Sequence, residues 1–404
     1  MAKEEIPITQ LKVGMFVTAL DVSWIKTPFL KHSLLIENEA QIIAIQACGA
    51  TIVTIDPDKG VVPASAPTTA QPAIARPAAS ASAKKPETTS LRQELDTAKQ
   101  LRDSTRKMVQ SVFSLARDGG VPRAEMISPF IDQTIDSLSR NSQALITLFL
   151  SKRPSSKLYN HAFNVMSMSL YIAQNIGYSI EDQRRIGLAA LLMDIGWLKL
   201  PEKWFAFQTA YTDDEFASIK EHVDYSLQLL EKGDFDPEVY RIIAQHHERY
   251  DGSGYPAELR ASQIHPMACI LSLVDHFNSL SNGYYDKQPI IPARALQEVY
   301  KKATLSAHEH SLVQLLIRLV GVFPPSSAVL LNTGERGIIT QVNWKAPLAP
   351  KVRILYNKAI MPLLRPFEVD LAKQENESVR REIRTVIDPS NPREDPANLL
   401  LNKE

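Results

Sequence analysis

Two aspartates interrupt apolar runs. Asp194 follows Leu188-Ala189-Ala190-Leu191-Leu192-Met193, and Asp275 follows Ile270-Leu271-Ser272-Leu273-Val274. A carboxylate in such a run needs a partner, because a buried unpaired charge is costly and otherwise gives up its ionisation. Either aspartate taken alone reads as a structural ion pair or cap; the other reading is a metal ligand. The pair His246-His247 ends a helical pattern of Val239, Ile242 and Ile243 and leads into Glu248-Arg249-Tyr250-Asp251-Gly252-Ser253-Gly254-Tyr255-Pro256. Neutral imidazoles with carboxylates suit iron, manganese or zinc, and such ligands arriving from several helices are a common way to build a di-metal site. The run from Asp251 to Pro256 is by itself a Gly-rich turn, and its position directly after the histidine pair is what singles it out.

The elements that must position these groups follow from composition and periodicity. With 404 residues the chain suits two or three domains, and 44% hydrophobic and 22% charged residues can bury a sizeable core. Lys+Arg and Asp+Glu are both 45, so no net field draws nucleic acid or an anionic membrane. Cys48 and Cys269 read as buried thiols of a reducing compartment. The most apolar runs are broken by Asp194 and Arg318, too short to span a bilayer. A cytoplasmic protein with no membrane insertion and no nucleic-acid partner is expected.

Residues 1–60 mix short β-type runs with one helical pattern, a small α+β domain. Residues 61–90, rich in Pro and Ala, read as a linker, because such a composition cannot offset its ordering entropy by burial. Ser90 and Gln93 can form a capping box ahead of a helical stripe of Leu91, Leu95, Ala98, Leu101, Met108 and Val112, which opens a helical lead-in over 91–150. The stripe is expected to pack on the chain's own helices, with a homodimer through it as the alternative. An all-α region fills 151–322, with Asp236 and Pro237 as N-cap and first-turn residue of one helix. Residues 323–385 are β-rich, and 386–404 read as a disordered tail.

His161, Asp194, His222, His246-His247, Gly254-Tyr255-Pro256 and Asp275 occur in the order and spacing of bacterial HD-GYP domains, and residues 155–320 resemble that family. Residues 5–60, with Gly14-Met15-Phe16-Val17 and Ser23-Trp24-Ile25-Lys26-Thr27-Pro28-Phe29, resemble the uncharacterised domain often found ahead of it. The resemblance implies a metal-dependent phosphodiesterase that opens cyclic di-GMP, with iron or manganese polarising the phosphodiester and activating water. It also implies that His161, Asp194 and Asp275 hold one metal and that Asp194 bridges to a second held by His222, His246 and His247.

The chain departs from the family at catalytic positions. The His-Asp pair is Met193-Asp194, and a thioether is a poor ligand for these metals. The lysine that follows is replaced by Trp197, with Lys199 a weak substitute. The phosphate-contacting arginine is Tyr284, the second basic position survives as Lys287, and Lys157 stands where a carboxylate supports a third metal in some relatives. About one metal per chain is therefore expected. The expected function is a degenerate HD-GYP module with weak or absent phosphodiesterase activity. It would bind cyclic di-GMP or a related nucleotide, or a partner such as a diguanylate cyclase, through a surface of Arg249, Asp251, Gly252, Gly254, Tyr255 and Pro256. The alternatives are an active phosphodiesterase with a remodelled site, and a helical scaffold whose ligands are remnants.

Overall fold

The computed structural model describes residues 4–20, 34–36, 42, 45, 52–56, 88–150, 158–201, 204, 211–283, 289–304, 306–343, 346–375 and 379–387. Residues 61–87 of the proposed linker, Lys157, Tyr284, Lys287, Cys48 and all but the first two residues of the expected tail lie outside them. The chain divides into two compact units, Met1–Arg76 and Pro77–Glu404.

In the first unit, β1 (Glu4–Pro7), β2 (Phe16–Leu20), β3 (Leu34–Leu35) and β4 (Ile52–Ile55) form an antiparallel sheet of order β1-β4-β2-β3. Ile6, Val17, Ile36, Ile45 and Val53 make its small core.

The second unit begins with α1 (Leu91–Arg117), α2 (Ala124–Leu150), α3 (Leu158–Ile176) and α4 (Ile180–Leu192). A short 3-10 turn, Ile195–Lys199, precedes α5 (Asp213–Lys220), α6 (His222–Leu230), α7 (Pro237–Ala244), α8 (Pro266–Asn282), α9 (Pro292–Thr304) and α10 (His310–Val320). The caps are where the sequence places them: Ser90 Oγ accepts from Gln93 N–H, and Asp236 accepts from Glu238 N–H with Pro237 in the first turn. The Gln93 side chain meets the Ser90 hydroxyl and not its backbone N–H, so the Ser90 box is half-made. Leu95, Ala98, Leu101 and Val112 of α1 are buried with the other helices in one continuous core, so the amphipathic stripe is used within the chain. Cys269 on α8 is half-buried, not buried as its neighbours suggest, and packs at the edge of the same core.

The unit closes with an antiparallel sheet, β5 (Ala328–Leu331), β6 (Arg336–Gln341), β7 (Lys351–Tyr356), β8 (Pro362–Asp370) and β9 (Ile383–Ile387), in the order β8-β7-β6-β5-β9. The last strand pairs with the first, Val329 opposite Val386, so ordered structure runs to Ile387. Val329, Leu331, Ile339, Val352 and Ile354 form its own core. The molecule is multidomain, with a small sheet in front, a helical centre and a β-rich end. No helix among the described residues is long and apolar enough to cross a membrane.

Candidate metal centre

The six residues singled out come from five places in the helical core and meet. His161 lies on α3, Asp194 between α4 and the 3-10 turn, His222 at the start of α6, His246 and His247 just after α7, and Asp275 on α8. All six are buried. The crossing that brings Asp194 to His222 depends on Gly196, where a Cβ would stand 2.0 Å from the His222 carbonyl oxygen and 2.6 Å from Ser226 N. Ser226 clamps the same crossing: its Oγ accepts from Gly196 N–H at 2.8 Å and donates to the Met193 carbonyl at 2.6 Å. The sequence reading missed Ser226, since a serine inside a helix carries no signal of what lies opposite it.

Asp194, His222, His246 and His247 each offer a ligand atom within 4.8 Å of all the others. The backbone sets the rings of His222 and His246. The Nδ1–H of His222 donates to the Ile219 carbonyl and that of His246 to the Ile243 carbonyl, each at 2.6 Å. Their Nε2 lone pairs therefore face inward, 3.4 Å apart, and His247 Nε2 stands 3.2 Å from His222 Nε2. A backbone acceptor behind each ring is the arrangement that prepares a histidine for a metal. Neither Asp194 oxygen accepts a well-aligned hydrogen bond from the described residues, although His161 Nε2 is 3.3 Å away and His222 Nε2 3.5 Å. Facing lone pairs beside a buried carboxylate fit a divalent cation.

Burial governs protonation here. It pushes His222 down to about 4, with the neighbouring His246 adding to it and Asp194 opposing. Burial likewise lowers His246, and it lowers His247 well below the usual range, helped by the charges of His246 and His222. All three are neutral at pH 7, the form that binds metal. For Asp194 burial works upward, but the close approach and charge of His161 outweigh it, and the carboxyl lies below its normal range. The same balance brings Asp275 to about 2.

The other half is built differently. His161 Nε2 stands 3.0 Å from Asp275 Oδ1 and 3.3 Å from Asp194 Oδ2, and its Nδ1 meets the Asn278 side-chain amide at 2.7 Å. Burial works against a charged His161 ring, but Asp194 and Asp275 outweigh it and push the ring up to about 9. Met193 is fully buried and belongs to the apolar core. Trp197, also buried, stacks on His222 with centroids 5.4 Å apart and planes at 29°. The residue at the family's lysine position thus packs its indole on a candidate ligand.

The Gly-Tyr-Pro turn wraps the half that holds His222, His246 and His247. Tyr255 stacks on His247 at 4.7 Å, its backbone N–H donates to the His247 carbonyl, and Pro256 is exposed after a cis peptide bond. Gly252 has φ +81°, and a Cβ on Gly254 would stand 2.3 Å from Arg249 N, so both positions need glycine. Glu248 was not anticipated as a functional residue. Its buried carboxylate accepts from Ala257 N–H at 2.7 Å and Leu259 N–H at 2.9 Å, tying the turn to the residue beside His247. Arg249 reaches Ser272 on α8, and Asp251 accepts from Ser253. Lys220, exposed at the end of α5, holds its Nζ 5.4 Å from the Tyr255 ring centroid.

Comparison with known families matches residues 126–306 to the HD domain. This region is an HD domain. Residues 3–127 match a domain of unknown function and residues 328–386 a KOW domain associated with HD domains. The first of these matches extends through α1, well past residue 60. A cyclic di-GMP phosphodiesterase of Pseudomonas aeruginosa is 27% identical over 358 residues, 88% of this chain and 85% of that protein. A 3′3′-cGAMP-specific phosphodiesterase of Vibrio cholerae is 27% identical over 172 residues, 43% of this chain and 39% of its own length. A cyclic di-GMP phosphodiesterase response regulator of Xanthomonas campestris is 33% identical over 131 residues, 32% of this chain and 35% of its own. The chain thus spans well over two thirds of the first relative and about two fifths or less of the other two. HD phosphohydrolases are metal-dependent, and the Asp194, His222, His246 and His247 cluster supplies suitable ligands within the HD domain.

Proposed function

We propose that the chain is a cyclic-dinucleotide signalling protein whose HD domain is degenerate. It holds about one divalent metal, iron or manganese, at Asp194, His222, His246 and His247. It hydrolyses cyclic di-GMP weakly or not at all, and serves as a nucleotide- or partner-binding module. A diguanylate cyclase is the partner the signalling context suggests. A bound metal in this family supplies Lewis acidity toward the phosphodiester and activates water; this chain's own residues orient that metal, exclude solvent and present the Gly-Tyr-Pro turn.

The observation that carries the reading is Trp197. It occupies the position where the family has a phosphate-facing lysine, and it is buried face-on against His222, so it offers an indole where a cation would meet developing charge. Loss of such an electrostatic stabiliser typically costs on the order of 100- to 1000-fold in rate. The second reading, an active phosphodiesterase with a remodelled site, is favoured by Lys220, an exposed cation beside Tyr255. Elemental analysis of the purified chain, with turnover of cyclic di-GMP, 3′3′-cGAMP and the linear dinucleotide, separates the two. One metal with nucleotide binding and negligible turnover supports the proposal. Two tightly held metals with sustained hydrolysis abolished by Lys220→Ala establish the second reading instead.

A further inference from the structure

Beside the buried ligands, one surface carries an aromatic ring and a cation that the core does not claim. Phe216 lies on α5 and is 46% exposed, whereas Ile219 is the residue that α5 buries. Lys220, one turn along, is exposed at the end of the helix and forms no ion pair among the described residues. The neighbouring carboxylates are engaged elsewhere. Glu215 closes the Thr212 capping box, and Glu221 accepts from the Tyr225 hydroxyl at 2.5 Å.

Rings join this pair to the centre. Tyr255 stacks on His247 with centroids 4.7 Å apart, and Phe216 meets Tyr255 in a T-shaped contact at 6.5 Å with planes at 80°. Lys220 Nζ stands 5.0 Å from the Phe216 centroid and 5.4 Å from that of Tyr255. A ledge therefore runs outward from a candidate ligand, through the Gly-Tyr-Pro turn, to an exposed ring with a cation beside it. An exposed phenylalanine alone signals nothing. Here the signal is its placement, next to an unspent cation and joined by Tyr255 to the metal ligands. Bracing the turn accounts for the contact with Tyr255 and leaves the exposed part of the ring without a partner. An aromatic face and a cation together hold nucleotides: the base stacks on the ring, and the ammonium meets phosphate. Because every base has a π-face, such a ring separates nucleotides from other phosphate esters and does not read guanine.

We infer that Phe216 and Lys220 form the outer part of the nucleotide site, where Phe216 stacks a base of a cyclic dinucleotide and Lys220 meets a phosphate. This rests on the nucleotide-binding reading above and names the side chains that do the binding, whether or not the bound dinucleotide is cleaved.

The test is calorimetric titration of the manganese-loaded full chain with a phosphorothioate of cyclic di-GMP, which resists hydrolysis, and with inorganic phosphate, which has no base. Phe216→Ala should weaken dinucleotide binding on the order of 10- to 100-fold, with manganese content and phosphate affinity unchanged. Phe216→Trp should bind like wild type, while Phe216→Leu, which keeps apolar bulk and lacks a π-face, should bind like Phe216→Ala. Lys220→Gln should weaken the dinucleotide by a smaller factor and flatten its dependence on salt. Wild-type affinity in Phe216→Ala or Phe216→Leu overturns the inference. So does a Phe216→Ala protein that loses manganese and phosphate together with the dinucleotide, because the ring would then be a structural brace. A wild type that holds manganese and binds no dinucleotide also overturns it, and leaves the partner-binding form of the proposed function standing. A chain that takes up no manganese yet binds the dinucleotide through Phe216 does the reverse: the metal reading fails and the inference stands.

Discussion

The two halves of the centre share Asp194 and set their histidines against different groups. In one half, His222 and His246 lean on main-chain carbonyls and present lone pairs. In the other, His161 Nδ1 meets the Asn278 side-chain amide and its Nε2 stands between oxygens of Asp194 and Asp275. The difference teaches that the group behind a ring matters as much as the ring itself for what a histidine can turn toward a metal.

The largest effect should come from converting the second half into a copy of the first. Met193→His with Trp197→Lys supplies a ligand and a cation, and adding Asn278→Asp puts an acceptor behind His161 Nδ1, as the carbonyls stand behind His222 and His246. The triple variant should hydrolyse cyclic di-GMP on the order of 100- to 1000-fold faster than wild type, with the double variant well short of it in single-turnover assays. Equal rates for double and triple variants would dissolve the contrast between the halves.

Next, the first half alone should carry the metal. His246→Ala should lose more than the roughly 10- to 100-fold in metal affinity that removal of an outer partner costs, measured by competition with a chelator. His161→Gln should change it little. If both variants lose metal alike, the halves are equivalent and the comparison fails.

Acid should open the first half. His222 is held at about 4, below the 6.5 of an unfolded histidine, so between those values the unfolded chain binds the proton that the folded chain refuses. The stability that His222 contributes to the metal-free protein should thus be fully present above pH 6.5 and be lost as pH falls toward 4, by on the order of a few kcal/mol. Urea titrations at intervals across that window check it, and a flat profile would mean that His222 is charged in the fold.

The smallest effect concerns the crossing that joins the halves. Gly196→Ala should destabilise the HD domain by about 1–3 kcal/mol, as overpacking does, with a lower Tm and weaker metal binding together. A variant as stable as wild type would show that the 3-10 turn can retreat from α6 without disturbing Asp194.

Much of this was legible in the chain. Asp194 and Asp275 stand out because charge inside an apolar run demands an explanation, and the run from His246 to Pro256 carries enough specific residues to bring the other ligands into view. The caps at Ser90 and Asp236 were readable because capping is local. The contact of Asn278 with His161 was not legible, since it depends on side chains of α3 and α8 that the sequence does not place together. Glu248 and Ser226 escaped for the same reason: each acts on backbone groups that a sequence does not place nearby. The final strand was hidden because the alternation from Ile383 to Ile387 is short and its partner, β5, lies some fifty residues upstream.

The stacking of Trp197 on His222 has an optical consequence. An indole in ring contact with a ligand is a built-in gauge of the centre, because protonation of the imidazole or arrival of a paramagnetic ion beside it offers the excited indole a route to the ground state without emission. Occupancy of the site can therefore be followed in the unlabelled protein as a change in ultraviolet fluorescence, with Trp197→Phe as the blank.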